Sequence, residues 1–188
     1  MNRLTQKYLP CKLSSLLLLL LCIFAVLMAG CVSSPAKYDS MIPTAFETTG
    51  KHSKTVSVSV QGGRETTLTT ASQISDEAFM QALVDSIIKF QIFSNVVKGK
   101  GADYLLTVSL FDLKQPLFGL TYTVKMEAGW TLQRADNGTI VWQESIKSEH
   151  TATFSDAFAA VTRLRLATEG AAKDNIAKGL VKISQLKL

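Results

Sequence analysis

At 188 residues, with 20 Lys and Arg against 15 Asp and Glu, the chain has room for one globular domain and some length to spare. Its net charge of +5 does not point to nucleic acid, because three of the cations fall at Arg3, Lys7 and Lys12 and no basic cluster with interleaved aromatics follows. All three cysteines, Cys11, Cys22 and Cys31, lie near the start, which excludes a disulfide framework or a Cys-based metal or redox centre in the rest of the chain.

The basic start runs into an uncharged apolar stretch from Leu16 to Ala29, and no acid occurs before Asp39. That stretch is shorter than the roughly 20 residues a membrane-spanning helix needs. A basic start, a short apolar run and small residues at its close are the marks of a secretory signal peptide. The run ends in Leu27-Met28-Ala29-Gly30-Cys31. This stretch resembles the lipobox of bacterial lipoproteins, with Met28 where that family most often has Leu. The resemblance implies cleavage between Gly30 and Cys31, a thioether-linked diacylglycerol on Cys31, and a further N-acyl chain on the new N-terminus. Val32 rather than Asp follows the cysteine, which in enterobacterial lipoproteins implies transfer to the outer membrane, facing the periplasm. At about 0.8 kcal/mol per buried CH₂, several acyl chains make a stable anchor.

Residues 1–30 are therefore expected as the cleaved signal peptide, 31–54 as the lipidated N-terminus and a flexible tether, and 55–188 as a single periplasmic domain. Without the signal peptide, 17 basic residues face 15 acidic ones. The tether is rich in Ser, Thr, Pro and Gly, and Met41, Ile42 and Phe46 are its residues suited to docking on the domain.

In the domain, Val56, Val58 and Val60 alternate with Ser57 and Ser59, a strand pattern that stops at Gly62-Gly63. Ser75 can cap a helix, with Asp76 and Glu77 at its positive end. Met80, Leu83, Val84, Ile87 and Ile88 form its expected buried stripe, with Phe79 and Phe90 on the flank. Val96-Val97 reads as a short edge strand and Asp103 to Phe111 as a central one. From Tyr122 to Gln133, Tyr, Val, Met, Ala, Trp and Leu alternate with polar residues, as in a strand with one wet face. Thr139 to Thr153 is its partner across Asp136-Asn137-Gly138. Parity requires Leu132 opposite Trp142, Trp130 opposite Glu144 and Ala128 opposite Ile146, which an odd-length loop with Gly138 left-handed would provide. A second helix is expected after Phe154, capped by Ser155. Phe158, Val161, Leu164, Ala171, Ile176, Leu180 and Ile183 form its stripe, Gly170 is a candidate bend, and Arg163 and Arg165 face outward. The expected fold is α+β: a two-layer sandwich in the order β-α-β-β-β-β-α, with an antiparallel sheet of four to five strands and both helices on one face. By topology alone it distantly resembles small envelope lipoproteins, such as the lipopolysaccharide-assembly lipoprotein and auxiliary lipoproteins of ABC transport systems.

Catalytic chemistry is hard to assemble. His52 falls in the tether and His150 near a strand end, and no HExxH, G-x-S-x-G or phosphate loop occurs. No catalytic residue, metal ligand or cofactor is assigned, and the lipid on Cys31 is the only attached group expected. Glu144 is the odd carboxylate, placed by parity beside Trp130: either a buried functional group whose pKa burial would raise, or, as is commoner, a residue where the face opens to solvent near a sheet edge. Pro116-Leu117-Phe118-Gly119-Leu120 is the odd loop. Turns are normally polar, so Leu117, Phe118 and Leu120 either fold under the second helix or form a contact to a partner protein or lipid. The expected function is that of a non-enzymatic accessory or adaptor to another envelope protein complex, anchored in the outer membrane. The alternative is a lipid or glycolipid carrier using the groove between helices and sheet.

Overall fold

The strand pattern is strongest from Tyr122 to Arg134, and in a computed structural model this segment forms β4. The structure describes residues 33–67 and 70–188. The signal peptide, Gly30 and Cys31 lie outside the described residues. The elements in chain order are a 3₁₀ turn (Asp39–Met41), β1 (His52–Gln61), α1 (Asp76–Phe90), β2 (Phe93–Val96), β3 (Tyr104–Lys114), β4 (Tyr122–Arg134), β5 (Ile140–Ala152) and α2 (Ala160–Ser184). This is the expected α+β order. The five strands make one open sheet in the order β2-β1-β3-β4-β5.

The sheet is mixed rather than wholly antiparallel. The three long strands β3, β4 and β5 are antiparallel, but β1 runs parallel to both of its neighbours. The cause is the α1 crossover, which returns the chain to the level where β1 began, so that β2 must run in the same direction. β2 then covers only the first part of β1, up to Val56 opposite Val96. The chain crosses to the other side of β1, and β3 starts there at Tyr104 opposite Val56.

The β4–β5 register is the one parity requires: Leu132 faces Trp142, Trp130 faces Glu144 and Ala128 faces Ile146. The means differ. The register shifts between Leu132 and Gln133, so that Gln133 pairs with Ile140 and Val141 is the extra residue. This bulge lets an even loop do the work of an odd one. It also moves Ile140 from the apolar face to the wet face, where it is 52% exposed. Gly138 is left-handed at φ 72°.

The core lies between the helices and one face of the sheet. Trp130, Phe79, Leu83, Ile87, Leu106, Leu132, Ile176 and Leu180 are fully buried. Ser75 caps α1 by accepting from the Ala78 amide at 3.2 Å. The buried stripe of α1 is turned toward Phe79 and Ala82 rather than Met80 and Ile88, and Ile88 is exposed.

α2 starts later than expected and is uncapped. Ser155 and Asp156 are engaged in their own turn: the Asp156 carboxylate accepts from the Thr153 amide (2.6 Å) and hydroxyl (2.8 Å), and Ser155 bonds the same hydroxyl. Gly170 does not break the helix. A side chain there would collide with the His150 ring, and one at Gly179 would collide with Trp130, so both glycines permit close approach to the sheet. Across this contact the Trp130 indole donates to Asn175 at 3.0 Å, and Asn175 in turn donates to the Ile146 carbonyl at 2.9 Å.

Within the stretch 31–54, expected as a flexible tether with Met41, Ile42 and Phe46 suited to docking, residues 33–51 run along α2. The Lys37 amide donates to Glu169 at 2.9 Å near one end, and the Thr49 amide donates to the Ser184 hydroxyl at 3.3 Å near the other. Met41 is fully buried between them, with Ile42 and Phe46 packed on the core. Burial of Met41, with Ile42 and Phe46 packed on the core, and the bonds at Lys37 and Thr49 together oppose the entropy lost on ordering this stretch. His52, expected in the tether, opens β1, and its Nε2 lies 2.9 Å from the Ile183 carbonyl.

Candidate functional site

The loop Pro116–Leu120 is rooted at Gln115, the residue after β3. Its side chain donates to the Ser72 carbonyl at 2.6 Å and to the Thr168 hydroxyl at 2.9 Å, which fixes the base of the loop against α2. Beyond that base the loop does not fold under the helix. Leu117 is 89%, Phe118 83% and Leu120 75% exposed. Gly119 has φ 152°, a value L-residues with a side chain rarely adopt, and its Cβ position would sit 3.0 Å from the Thr121 carbonyl.

A second segment joins them. Tyr122 at the start of β4 pairs with Ala152 at the end of β5, so the residues after β5 emerge at the same end of the sheet as the loop. There Phe154 and Phe158 stand edge to face with centroids 5.3 Å apart, and both are exposed. They are held by Arg163, a residue expected to face solvent that is instead buried. Its guanidinium lies over the rings of Tyr122 and Phe154 at 5.6 and 5.4 Å and donates to the carbonyls of Ala157 and Phe158 at 2.8 and 2.6 Å. The aromatic pair is therefore displayed on a built support. Only Leu117, Phe118 and Leu120 stand out in the sequence, as apolar residues in a turn. Phe158 is hidden there, because its spacing fits the stripe of a helix that begins two residues later.

The described chain joins the domain at this same end. The Ala36 amide donates to the Gln73 carbonyl at 3.1 Å, and the Gln73 side chain lies 3.4 Å from that of Gln115. One residue on, Lys37 is tied to Glu169, which also pairs with Arg165 at 2.7 Å. Glu169 is 2% exposed and unmarked in the sequence, a carboxylate on a helix rich in Lys and Arg.

The other candidates stay apart. Glu144 does lie opposite Trp130, but on the open side of β5, where Lys182 bonds it at 2.8 Å. That lysine holds its carboxyl below the usual range, the reverse of the raised value burial would have given. His150 sits against Gly170 and faces Asp174 at 3.6 Å, while His52 is at the opposite end of the sheet. Among the described residues, no group of three or more metal-ligating side chains gathers, and no helix is long and apolar enough to cross a membrane. The groove between helices and sheet is filled by Trp130 and its neighbours. A surface hollow of about 450 Å³ is lined largely by charged residues, among them Asp112, Lys114, Lys125, Lys147 and Lys178.

No family model matches the sequence, and no curated protein matches it. Solved structures share its fold at low identity. Protein XCC0632 from Xanthomonas campestris, of family DUF330, is 9% identical, with 80% of this chain and 91% of that one covered and a TM-score of 0.53. The PelC dodecamer from Paraburkholderia phytofirmans is 15% identical, with 77% and 96% covered and a TM-score of 0.50. Uncharacterized lipoprotein B from Nitrosomonas europaea is 13% identical, with 75% and 91% covered, and superposes more loosely at a TM-score of 0.44. At such identities the likeness is one of fold alone.

Proposed function

We propose that the protein is a non-enzymatic, lipid-anchored accessory of the cell envelope. It is held in the outer membrane through the lipid on Cys31, faces the periplasm and serves another envelope protein complex. The observation that supports this reading best is the place where the chain joins the domain. The described segment that follows the lipobox in sequence is pinned at Ala36 beside the loop that displays Leu117, Phe118 and Leu120, so the exposed apolar groups and the point where the described chain enters the domain share one end. Monomeric domains seldom expose contiguous large apolar groups without a contact to make. The carrier reading gains nothing from a groove filled by Trp130, Phe79 and Leu180.

Native mass spectrometry of the lipidated protein, extracted gently from its own membrane, tests this. A stoichiometric complex with a different protein is the expected result. A bound glycolipid with no protein would overturn the accessory reading in favour of the carrier. Higher multiples of the chain alone would do so in favour of self-assembly, the state in which the PelC neighbour was solved.

A further inference from the structure

We propose that the end of the domain carrying Leu117, Phe118, Leu120, Phe154 and Phe158 is seated in the lipid surface of the membrane that holds the anchor. This inference rests on the lipid-anchor reading of Cys31. It goes beyond that reading by fixing how the domain stands on the bilayer.

The occupant is identified by chain length and direction. From Thr49 back to Lys37 the segment follows α2 toward its N-terminal part, tied at Ser184 and then at Glu169. The last fixed amide is Ala36, held at Gln73. Only four residues separate it from Cys31, five Cα steps that span at most about 17 Å at full extension. A tether running freely to residue 54 could have held the domain several times farther from the membrane. With the chain pinned at Ala36, an acylated Cys31 brings the end that includes Gln115 and its loop close to the lipid.

The chemistry of that end suits an interface. The exposed groups are Phe and Leu on two neighbouring segments, the kind of side chain that anchors amphipathic elements at the boundary of headgroups and acyl chains. Polar groups at this end are bonded within the fold: Gln115 to Ser72 and Thr168, the exposed Asp156 to Thr153, and Arg163 through Nη1 to two carbonyls. Seating the end in lipid therefore removes apolar surface from water without stripping those groups of their partners. Ion pairs near this end, such as Lys114 with Asp112 and Arg165 with Glu169, are internally balanced. The attraction is then mainly apolar and weakly dependent on salt.

The test uses the mature lipidated protein in vesicles of three parts phosphatidylethanolamine to one part phosphatidylglycerol, with brominated acyl chains as quencher. Wild-type emission from Trp130 and Trp142 is the baseline. Phe118→Trp and Phe158→Trp are expected to add emission that bromine quenches several-fold more than the emission added by Asn137→Trp at the opposite end. Equal quenching at all three positions overturns the proposal. So does added emission in the Phe118→Trp variant that is already shielded from water before vesicles are present, with a dimer by sedimentation, since a second copy would then cover the end. Replacing both Leu117 and Phe118 by Ser in the unlipidated fragment 33–188, the compact unit that contains the whole described core, should lower its partition onto the same vesicles about tenfold. The mass of the N-terminal peptide reports separately on Cys31. Lipid present without quenching at residue 118 defeats this inference alone, and quenching without lipid defeats the anchor alone.

Discussion

The two ends of the sheet are built by opposite rules. At one end, the connections 97–103 and 135–139 follow the chemistry expected of turns in water. Gly99, Gly101 and Gly138 take positive φ, Asp103 bonds the Thr55 amide and hydroxyl, and Arg134 clasps Asp136. At the other end, the connections 115–121 and 153–159 spend their polar groups on internal bonds and turn Leu117, Phe118, Leu120, Phe154 and Phe158 outward. Both ends belong to the same strands, so fold stability does not distinguish them. The difference lies in the medium each one is shaped to meet, and it can be probed by changing first the core they share, then each end in turn.

The largest effect is expected in that shared core. Trp130 fills the space over Gly179 and donates to Asn175, tying α2 to the long strands. Trp130→Ala should cost about 4 kcal/mol in a denaturant titration, and both ends should then lose amide protection together. Next in size is Glu169, which holds the joining segment at Lys37 and pairs with Arg165. Glu169→Ala should cost about 3 kcal/mol, because it leaves a largely buried guanidinium without its partner. Its specific mark is faster amide exchange over residues 36–41. Arg163→Met removes the support under the aromatic pair at a cost of about 2 kcal/mol. Added mobility should appear at Phe154 and Phe158 and not at residues 135–139.

How much of this was legible in the sequence depends on how local the signal is. The β4–β5 register was legible, because alternation over so long a run leaves one pairing that buries Trp130, Leu132 and Ile146 together. The bulge at Val141 was not, since parity fixes the register without saying which residue absorbs the mismatch. The parallel placement of β1 was also hidden, because strand direction in a sheet depends on where the chain is carried between strands. The apolar loop 116–120 was visible as a breach of turn chemistry. Its second half, Phe154 and Phe158, was disguised by helical spacing, and the support from Arg163 could not be read from a residue type that normally faces water. Burial of Arg163 and Glu169 depends on contacts with Tyr122 and Lys37, far away in the chain, and no local pattern encodes those.

The smallest effect separates the ends most sharply. Each carries one Asp whose pKa is lowered chiefly by bonds from a neighbouring threonine: Asp103 by Thr55 at the polar end, and Asp156 by Thr153 at the apolar end. A carboxyl with a depressed native pKa stabilises the fold above its unfolded value of 3.8, and that contribution is lost as pH falls through the native value. Acidification below 3.8 should therefore weaken the protein in water at both sites, and Thr55→Val, which removes the hydroxyl bond but keeps the stronger amide bond, should raise the Asp103 pKa only part of the way without moving that of Asp156. Vesicles should break this symmetry. Asp156 sits between Phe154 and Phe158, so seating that end in lipid takes water from its carboxylate and raises its pKa. Asp103, at the far end of the sheet, should keep its value. Carboxyl carbon titrations by NMR, with and without small bicelles, measure both residues in one sample. A rise at Asp156 alone assigns the apolar end to the membrane, whereas equal values in the two media would mean that the end still faces water and that its phenylalanines await a partner of another kind.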